Sequence, residues 1–373
     1  MKTPALPLAA LALALPAFAA DEPAPEARPQ IEVCFVLDTT GSMGGLIEGA
    51  KQKIWSIANE VIAARPTPEV KFALVGYRDR GDDYVTRVTA LTDDIDAVYA
   101  ELQKFEAGGG GDTPESVSQA LHEAVSDIAW SRSRDVLKII YLVGDAPPHT
   151  DYPDGPDYRE VCATAARSDI IINTVQCGTL AGTREVWQEI ASAAEGRFIA
   201  LEQSGNMVVV ATPFDEDLSE LNRQIGATLV PFGSNAARAG VVAKQALAES
   251  VSAPAAADRL RYNSVSRKAV QGEGELIDAL GAGKVELADL KRDELPEEWR
   301  ELDDEAREAK VKDLRSQREA IQQKIATLSQ QRENFLAAER KRLAESGKAD
   351  DAFDTTVAES LKEQAARKGI RYQ

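Results

Sequence analysis

Histidine and cysteine are scarce in this chain, which has two histidines and three cysteines among its 373 residues. So few histidines leave little material for histidine-based acid–base catalysis. No cysteines or histidines have the spacing of a zinc site. The four glycines at residues 108–111 lack the Gly-Lys-Ser/Thr ending of a phosphate-binding loop, and no Gly-x-Gly-x-x-Gly follows the first strand pattern. These absences predict that the chain is not an enzyme.

The odd number of cysteines leaves at least one thiol unpaired. Cys34 lies within an apolar strand pattern and is expected to be a buried thiol. Cys162 and Cys177 could form a disulfide in an oxidising compartment, but a helix and the strand that follows it need not bring two cysteines close enough. Both alternatives stay open at this point.

Long apolar runs are also lacking, because no stretch after residue 20 approaches the roughly 18 apolar residues of a membrane-spanning helix. The first residues contain Lys2, an apolar run at residues 6–18 and the small-x-small sequence Ala17-Phe18-Ala19. This pattern predicts a signal peptide at residues 1–19, followed by a Pro-rich flexible lead at residues 20–30. We therefore expect a periplasmic or secreted mature protein without a membrane span.

Basic residues are outnumbered, with 43 Lys and Arg against 61 Asp and Glu, and the net charge is -18. The excess lies almost wholly in residues 31–235, which contain 32 acidic and 16 basic residues. Such a surface repels nucleic acid and anionic lipid and attracts cations. Nucleic acid is therefore excluded as an expected partner, whereas a bound cation is favoured.

Short apolar strand patterns alternate with helix patterns along the first half of the chain. The buried strand patterns are Ile31–Leu37, Val70–Tyr77, Val136–Val143, Ile170–Gln176 and Arg197–Leu201. Tyr84–Leu91 alternates apolar and polar residues after a tight turn, which indicates an antiparallel edge strand. The alternation predicts an α/β fold with a doubly wound, mostly parallel sheet and one antiparallel edge strand, covered by helices on both faces.

The helix patterns expected between and after these strands are Leu46–Ile62, Asp93–Phe105 with Thr92 as its N-cap, Pro114–Trp130, Tyr158–Arg167, Arg184–Ala194 and Pro213–Leu229. In sheets of this kind, ligands bind beyond the carboxyl ends of the strands. Polar residues that follow a strand directly are therefore the first candidates for a functional site.

Three polar groups follow strand ends or open a helix in this frame. The sequence Asp38-Thr39-Thr40-Gly41-Ser42 follows the first buried strand, Thr113 stands in the loop before the third helix, and Asp145 ends the fourth strand. Asp-x-Ser/Thr-x-Ser with a later Thr and Asp resembles the motif set of von Willebrand factor A domains. The resemblance covers residues 31–233.

The resemblance implies a metal-ion-dependent adhesion site with Asp38, Thr40, Ser42, Thr113 and Asp145 as its metal ligands. Hydroxyl ligands add no charge, so the cation keeps much of its own charge for a carboxylate from a protein partner. An all-oxygen set with few direct charges favours Mg²⁺ or Mn²⁺, with Ca²⁺ as the third candidate. The sequence does not indicate an oligomeric state.

Other interpretations of these residues stay open. Asp38 and Thr113 could only cap helices, and Asp112 or Glu115 could replace Thr113 as a ligand. Arg80-Gly81-Asp82 spells an integrin-recognition tripeptide, which in a tight turn we interpret as coincidence. The loop after Asp145 adds a set of polar residues that could form the rim of the site or simply be solvated: His149, Asp151, Asp154 and Asp157.

Residues 234–274 are predicted to be a linker or helical spacer, and residues 275–373 a helical region. In residues 296–346, apolar residues recur every seven positions, but two positions of the second seam carry Arg318 and Arg332. A sustained coiled coil needs both seams to be apolar, so we expect a long helix packed on a neighbouring helix.

These observations leave three functional hypotheses. The first is metal-dependent capture of a protein partner. The second is a scaffold that binds through its C-terminal helices and has a structural metal; truncation after residue 235 would separate these two. The third, a metal-assisted hydrolase, lacks an obvious general base.

Overall fold

The computed structural model describes residues 28–372 apart from residues 112, 206, 208 and 346–351. The predicted signal peptide and residues 20–27 of the predicted lead lie outside the described residues. In the described part of the chain, no helix is long and apolar enough to cross a membrane.

A six-stranded sheet forms the centre of the first half of the chain. Its strands are β1 (Gln30–Asp38), β2 (Glu69–Tyr77), β3 (Thr86–Thr92), β4 (Leu137–Gly144), β5 (Ile170–Cys177) and β6 (Phe198–Leu201). Their order is β3-β2-β1-β4-β5-β6, and every neighbouring pair is parallel except β2 and β3. The predicted doubly wound sheet with one antiparallel edge strand is confirmed.

Helices cover both faces of this sheet. They are α1 (Gly44–Ile62), α2 (Ile95–Gln103), α3 (Val117–Ser126), α4 (Tyr158–Arg167) and α5 (Thr183–Ala193). A sixth helix, α6 (Asp215–Gly226), follows β6, and its buried residues belong to a separate apolar cluster. One apolar core lies under α1 and α2, and the other lies under α3, α4 and α5. Because the central strands are buried on both faces, they consist of nearly continuous apolar residues.

Two helix starts differ from the sequence prediction. The second helix is capped by Asp94, whose carboxylate accepts the amide of Ala97, and not by Thr92, whose hydroxyl accepts the amide of Asp94. The third helix begins at Val117 and not at Pro114. Its first turn is displaced because Glu115 makes a bridge to the loop after β4, its amide donating to the carbonyl of Pro147.

The three cysteines are buried and free. Cys162 packs on the face under α4, whereas Cys177 packs on the opposite face. The sheet therefore separates the two thiols, and the alternative without a disulfide is the one observed. Cys34 is fully buried as predicted, and burial raises the pKa of its thiol well above the ordinary value.

Among the described residues, six further α-helices follow, of which four are longer than ten residues and pack against the first half of the chain or one another. The six are α7 (Asn235–Ser250), α8 (Ala253–Ser266), α9 (Leu276–Gly281), α10 (Glu297–Arg300), α11 (Asp304–Glu345) and α12 (Ala352–Ala366). The predicted helical region at residues 275–373 begins with a short helix, because α9 ends at Gly281. Arg259 of α8 is fully buried and joins this region to α2 through two hydrogen bonds with Asp96, at 2.7 and 2.9 Å.

The 42-residue helix α11 packs against α6 and α8, as the sequence predicted. The two arginines that interrupt its second apolar seam are buried and paired. Arg318 forms ion pairs with Glu275 and Asp278. Arg332 forms ion pairs with Asp215 and with Asp258 of α8. A charge at these positions therefore marks a buried ion pair with a neighbouring helix, where removing one partner would be costly.

The last helix, α12, returns to the sheet. Val357 and Leu361 of α12 belong to the same apolar core as β1 and α1. The hydroxyl of Tyr141 in β4 lies 3.1 Å from Ser360 Oγ, and the amides of Asn173 and Gln364 exchange hydrogen bonds of 3.0 and 2.7 Å. The sheet is thus closed on this face by a helix that follows it by more than a hundred residues.

We predict that Leu361→Ala destabilises the whole sheet domain. Leu361 is 1 % exposed, and truncation of a fully buried leucine costs about 2–5 kcal/mol. Urea unfolding of the two proteins measures the loss. Glu359→Ala, an exposed change on the same helix, should leave the unfolding free energy within about 0.5 kcal/mol of the parent. Equal stability of both variants would contradict the placement of α12 in the core.

Candidate functional site

The carboxyl end of β1 brings three of the predicted ligands together. Asp38 is fully buried, and its Oδ1 accepts hydrogen bonds from the amide of Thr40 at 2.8 Å and from Thr40 Oγ1 at 2.7 Å. Thr40 Oγ1 lies 3.3 Å from Ser42 Oγ. The other oxygen of Asp38, Oδ2, is buried and has no hydrogen-bond partner in the described structure.

Asp145 stands beside this loop because β4 runs parallel to β1 and ends at the same edge. The preceding residue must be glycine, since a Cβ at Gly144 would lie 2.3 Å from Tyr77 Oη and 3.0 Å from Asp38. Asp145 is 9 % exposed, and its Oδ2 accepts a hydrogen bond from Gln203 Nε2 at 2.7 Å.

The four-glycine loop forms the next wall of the site. Its backbone contacts the Asp38 loop, with Gly108 donating to the carbonyl of Thr39 and Gly41 donating to the carbonyl of Gly109. Gly109 and Gly110 have φ values of 77° and 79°, which only glycine adopts readily. The run is therefore a close-fitting backbone wall.

The integrin-type tripeptide is part of the scaffold of this wall. Asp82 accepts hydrogen bonds from the amides of Asp79 and Gly110, both at 3.1 Å. Arg80 pairs with Asp154 at 2.7 Å and stacks over the ring of Tyr152. The side chains of the tripeptide are occupied inside the domain, which favours the interpretation of the tripeptide as coincidence.

Thr113 and Glu115 both line the cleft, but they differ in burial. Thr113 is exposed, whereas Glu115 is 4 % exposed and its Oε2 is buried without a hydrogen-bond partner in the described structure. The Glu115 backbone is held at both ends, by the carbonyl of Pro147 and by the amide of His149. Asp112 lies outside the described residues. Burial thus favours Glu115 as the acidic group of this loop.

Electrostatic repulsion is concentrated at these carboxylates. Burial, with a further contribution from Asp145, raises the pKa of Asp38 to about 7. Burial and the charges of Asp38, Asp79, Asp82 and Asp145 raise the pKa of Glu115 to about 9. None of the described residues that line the cleft is Lys or Arg, and a divalent cation would supply positive charge there.

The donor chemistry also fits a hard cation. The groups facing the cleft are carboxylates and hydroxyls, which are the ligands that Mg²⁺, Mn²⁺ and Ca²⁺ take. No group of three or more His, Cys, Asp or Glu side chains among the described residues is arranged to hold a metal without hydroxyls. At this edge of the sheet, the hydroxyls of Thr40 and Ser42 stand beside the carboxylate of Asp38.

A buried acid outside the predicted set supports the loops around the site. Asp79 accepts hydrogen bonds of 2.7 Å from Ser116 Oγ and from Tyr152 Oη, and its Oδ2 lies 3.2 Å from His149 Nε2. The other ring nitrogen of His149 lies 2.7 Å from Asp151. Asp79 thus joins the loop before α3 to the loop after β4.

The acidic loop after Asp145 is mostly committed to internal contacts. Asp154 pairs with Arg80, and Asp157 caps α4 by accepting the amide of Arg159. Asp151 contacts His149 and is otherwise exposed. These contacts explain the loop's composition without a second cation.

The site opens to solvent through a cleft of about 790 Å³. Thr179, Leu180 and Ala181 form one wall, and Leu180 is 41 % exposed. Gln203 reaches across the floor, with its amide near both Asp145 and the carbonyl of Ser42. Gln203 was not among the residues predicted for the site. Its place two residues after the last strand is the only feature of the sequence that could have indicated its role.

Comparisons with known proteins agree with this arrangement. The family model of the von Willebrand factor A domain matches residues 32–211. An ariadne-like RING finger protein of Acanthamoeba polyphaga mimivirus is 23 % identical over 201 residues, which are 49 % of this chain and 19 % of the relative. Von Willebrand factor A domain-containing protein 7 of Homo sapiens is 37 % identical over 97 residues, which are 26 % of this chain and 10 % of the relative.

The chain therefore spans a fifth or less of the length of these curated relatives. Among solved structures, proximal thread matrix protein 1 from the mussel byssus, with a zinc-occupied adhesion-site motif, is 17 % identical. The likeness has a TM-score of 0.38 and covers 47 % of this chain and 42 % of that chain. The family match therefore places a von Willebrand factor A domain at residues 32–211, just under half of the chain, and this span contains the six-stranded sheet apart from the first two residues of β1.

Proposed function

We propose that this chain is a metal-dependent protein-binding module. Asp38, Thr40, Ser42 and Asp145 would hold a divalent cation, with Glu115 or Thr113 completing the protein's share of the ligands. When bound, the cation supplies an electrophilic position for an Asp or Glu side chain of a protein partner. The observation that carries the proposal is the buried, unpartnered Oδ2 of Asp38 beside two hydroxyls and a second carboxylate.

Mg²⁺ and Mn²⁺ suit this ligand set better than Ca²⁺. Ca²⁺ takes six to eight oxygens and is served best by several direct carboxylates, whereas Mg²⁺ keeps part of its water shell. Two of the four central side chains here are hydroxyls, and Asp145 is already bonded to Gln203. A small cation that retains water would therefore fit without displacing that bond.

The open cleft supports binding of a protein side chain. Its glycine wall presents backbone and no side chains, so a partner's carboxylate could approach closely. The exposed Leu180 on the opposite wall offers an apolar contact next to the cation. An apolar contact beside a charged one is typical of residues that anchor a protein interface.

The second hypothesis, a scaffold that binds through its C-terminal helices, rests on the exposed length of α11. Truncation after residue 235 would not separate the two hypotheses, because it would also remove α12 and open the apolar core beneath it. A substitution at Asp38 leaves α12 in place. Under the scaffold hypothesis partner binding survives that substitution, and under the proposed function it does not.

Location outside the cytoplasm is part of the proposal. It rests on the apolar run and the small-x-small sequence near the N-terminus.

We predict that Mg²⁺ and Mn²⁺ bind at one site and that Asp38→Asn weakens binding by at least roughly tenfold, because loss of even an indirect metal contact costs 10–100-fold. Asparagine keeps the shape and one oxygen but removes the charge. Isothermal titration calorimetry of the purified protein measures both affinities.

Asp83→Asn is the matched control. Asp83 is an exposed acid close to the same loops, so it reports the effect of removing one surface charge. An equal loss in both variants, or no binding to the parent protein, would refute the proposed site. Circular dichroism of each variant confirms that the fold is kept.

We also predict that metal affinity rises with pH between about pH 6 and 9. Asp38 and Glu115 have pKa values of about 7 and 9 without a cation, so the metal must displace their protons. Calorimetry in buffers of different ionisation enthalpy counts the protons released. Affinity that stays constant above pH 6 would mean that both acids are already ionised and that their burial does not bear on the cation.

A further inference from the structure

A second cleft lies at the opposite edge of the sheet from the candidate metal site. It has a volume of about 450 Å³ and is bounded by the end of α3, the loop before β4 and the end of α4. We name it the basic cleft, after the five residues on which the argument below depends: Trp130, Arg132, Arg134, Lys138 and Arg167.

Three exposed arginines surround the basic cleft without an acidic partner. Within the described structure, no carboxylate pairs with Arg132 or Arg134, and Arg167 donates only to the hydroxyl of Thr164. Elsewhere in this chain, acids outnumber bases and many arginines are paired. Three guanidinium groups without a carboxylate partner among the described residues are therefore a local departure from the charge of the whole domain.

The floor of the cleft is rigid. Lys138 is 3 % exposed, and its ammonium donates to the carbonyls of Ser131 at 3.0 Å and Ser168 at 2.8 Å. These two bonds join the loop before β4 to the end of α4, so the walls cannot separate freely. Glu32 fixes the same loop by accepting the amide of Ser131 at 2.8 Å.

Two acids at the basic cleft, Glu32 and Asp169, have other partners. Glu32 is occupied by the Ser131 amide, and Asp169 is paired with Lys368. Burial lowers the pKa of Lys138, but an arginine stays charged at any physiological pH. The permanent positive charge at the rim therefore comes from the three arginines.

We propose that the basic cleft binds a short acidic segment of a protein, through bidentate contacts between its arginines and Asp or Glu side chains. Guanidinium groups match the planar carboxylate in geometry as well as in charge. The partly exposed ring of Trp130, beside the C-terminal end of α3, gives the segment an apolar surface to lie against. The strongly acidic remainder of the domain would repel a long polyanion such as nucleic acid, so a short segment fits better.

This site is independent of the metal, since it lies at the amino ends of the strands. The two edges of the domain would then bind their ligands in different ways. The acidic edge would take a carboxylate only through a cation, and the basic cleft would take carboxylates directly. Binding at both edges would let one domain join two partners.

The test uses a fluorescein-labelled hexaglutamate peptide and fluorescence anisotropy with the full chain. The protein is first freed of metal with EDTA and then exchanged into metal-free buffer, so that no cation can bind the peptide at the other edge and no EDTA competes for the basic cleft. We expect saturable binding at low ionic strength that weakens as salt is added. The double variant Arg132→Gln and Arg134→Gln should weaken binding roughly tenfold or more, as expected for the loss of close charge pairs at an interface.

The matched control is the double variant Arg315→Gln and Arg340→Gln, which removes the same charge from exposed positions on α11. Equal weakening in both double variants would show a general charge effect and overturn the proposal, as would no binding to the parent protein. The last experiment is a competition between the labelled peptide and inorganic phosphate or glutarate. Displacement of the peptide by phosphate at lower concentration than by glutarate would assign the cleft to phosphate and also overturn the proposal.

Discussion

Burial of acidic side chains at the carboxyl edge of the sheet, with repulsion among them, is the constraint on which the rest of this domain depends. Parallel pairing of β1 and β4 places Asp38 and Asp145 side by side, and the bridge at Glu115 adds a third acid. One oxygen of Asp38 and one of Glu115 have no hydrogen-bond partner in the described residues. Such an arrangement is costly unless a cation offsets it, so the surrounding loops must hold the acids in place.

Short backbone contacts and one further buried acid, Asp79, hold the loops around these carboxylates in place. Gly144 allows Tyr77 and Asp38 to approach the β4 strand end, and the glycine wall fits against the Asp38 loop. Asp79 joins the two remaining loops. On the far side, α12 closes the sheet under Tyr141. The domain is thus completed by residues outside the span that the family model matches, and the helices between form an extension anchored by buried arginines.

Much of the fold could be predicted because strand and helix patterns are local. β1 to β6 follow from apolar runs, and Asp38, Thr40, Ser42 and Asp145 follow from their place after a strand. The remaining features depend on distant residues. Burial of Glu115 arises from its bridge to Pro148, Gln203 reaches Asp145 across the edge, and Arg318 and Arg332 are explained only by acids on other helices. The return of α12 to the sheet left no signal in its own sequence, because amphipathic helices do not encode their partner.

The central claim is that a divalent cation binds at the Asp38 loop. A crystal grown with Mn²⁺ tests it most directly, through the anomalous scattering of the metal. We predict a single strong anomalous peak within coordinating distance of Thr40 Oγ1 and Ser42 Oγ, with Asp38 and Asp145 in contact directly or through water. A fully ordered site without a peak, or a peak located only elsewhere on the molecule, would contradict the account.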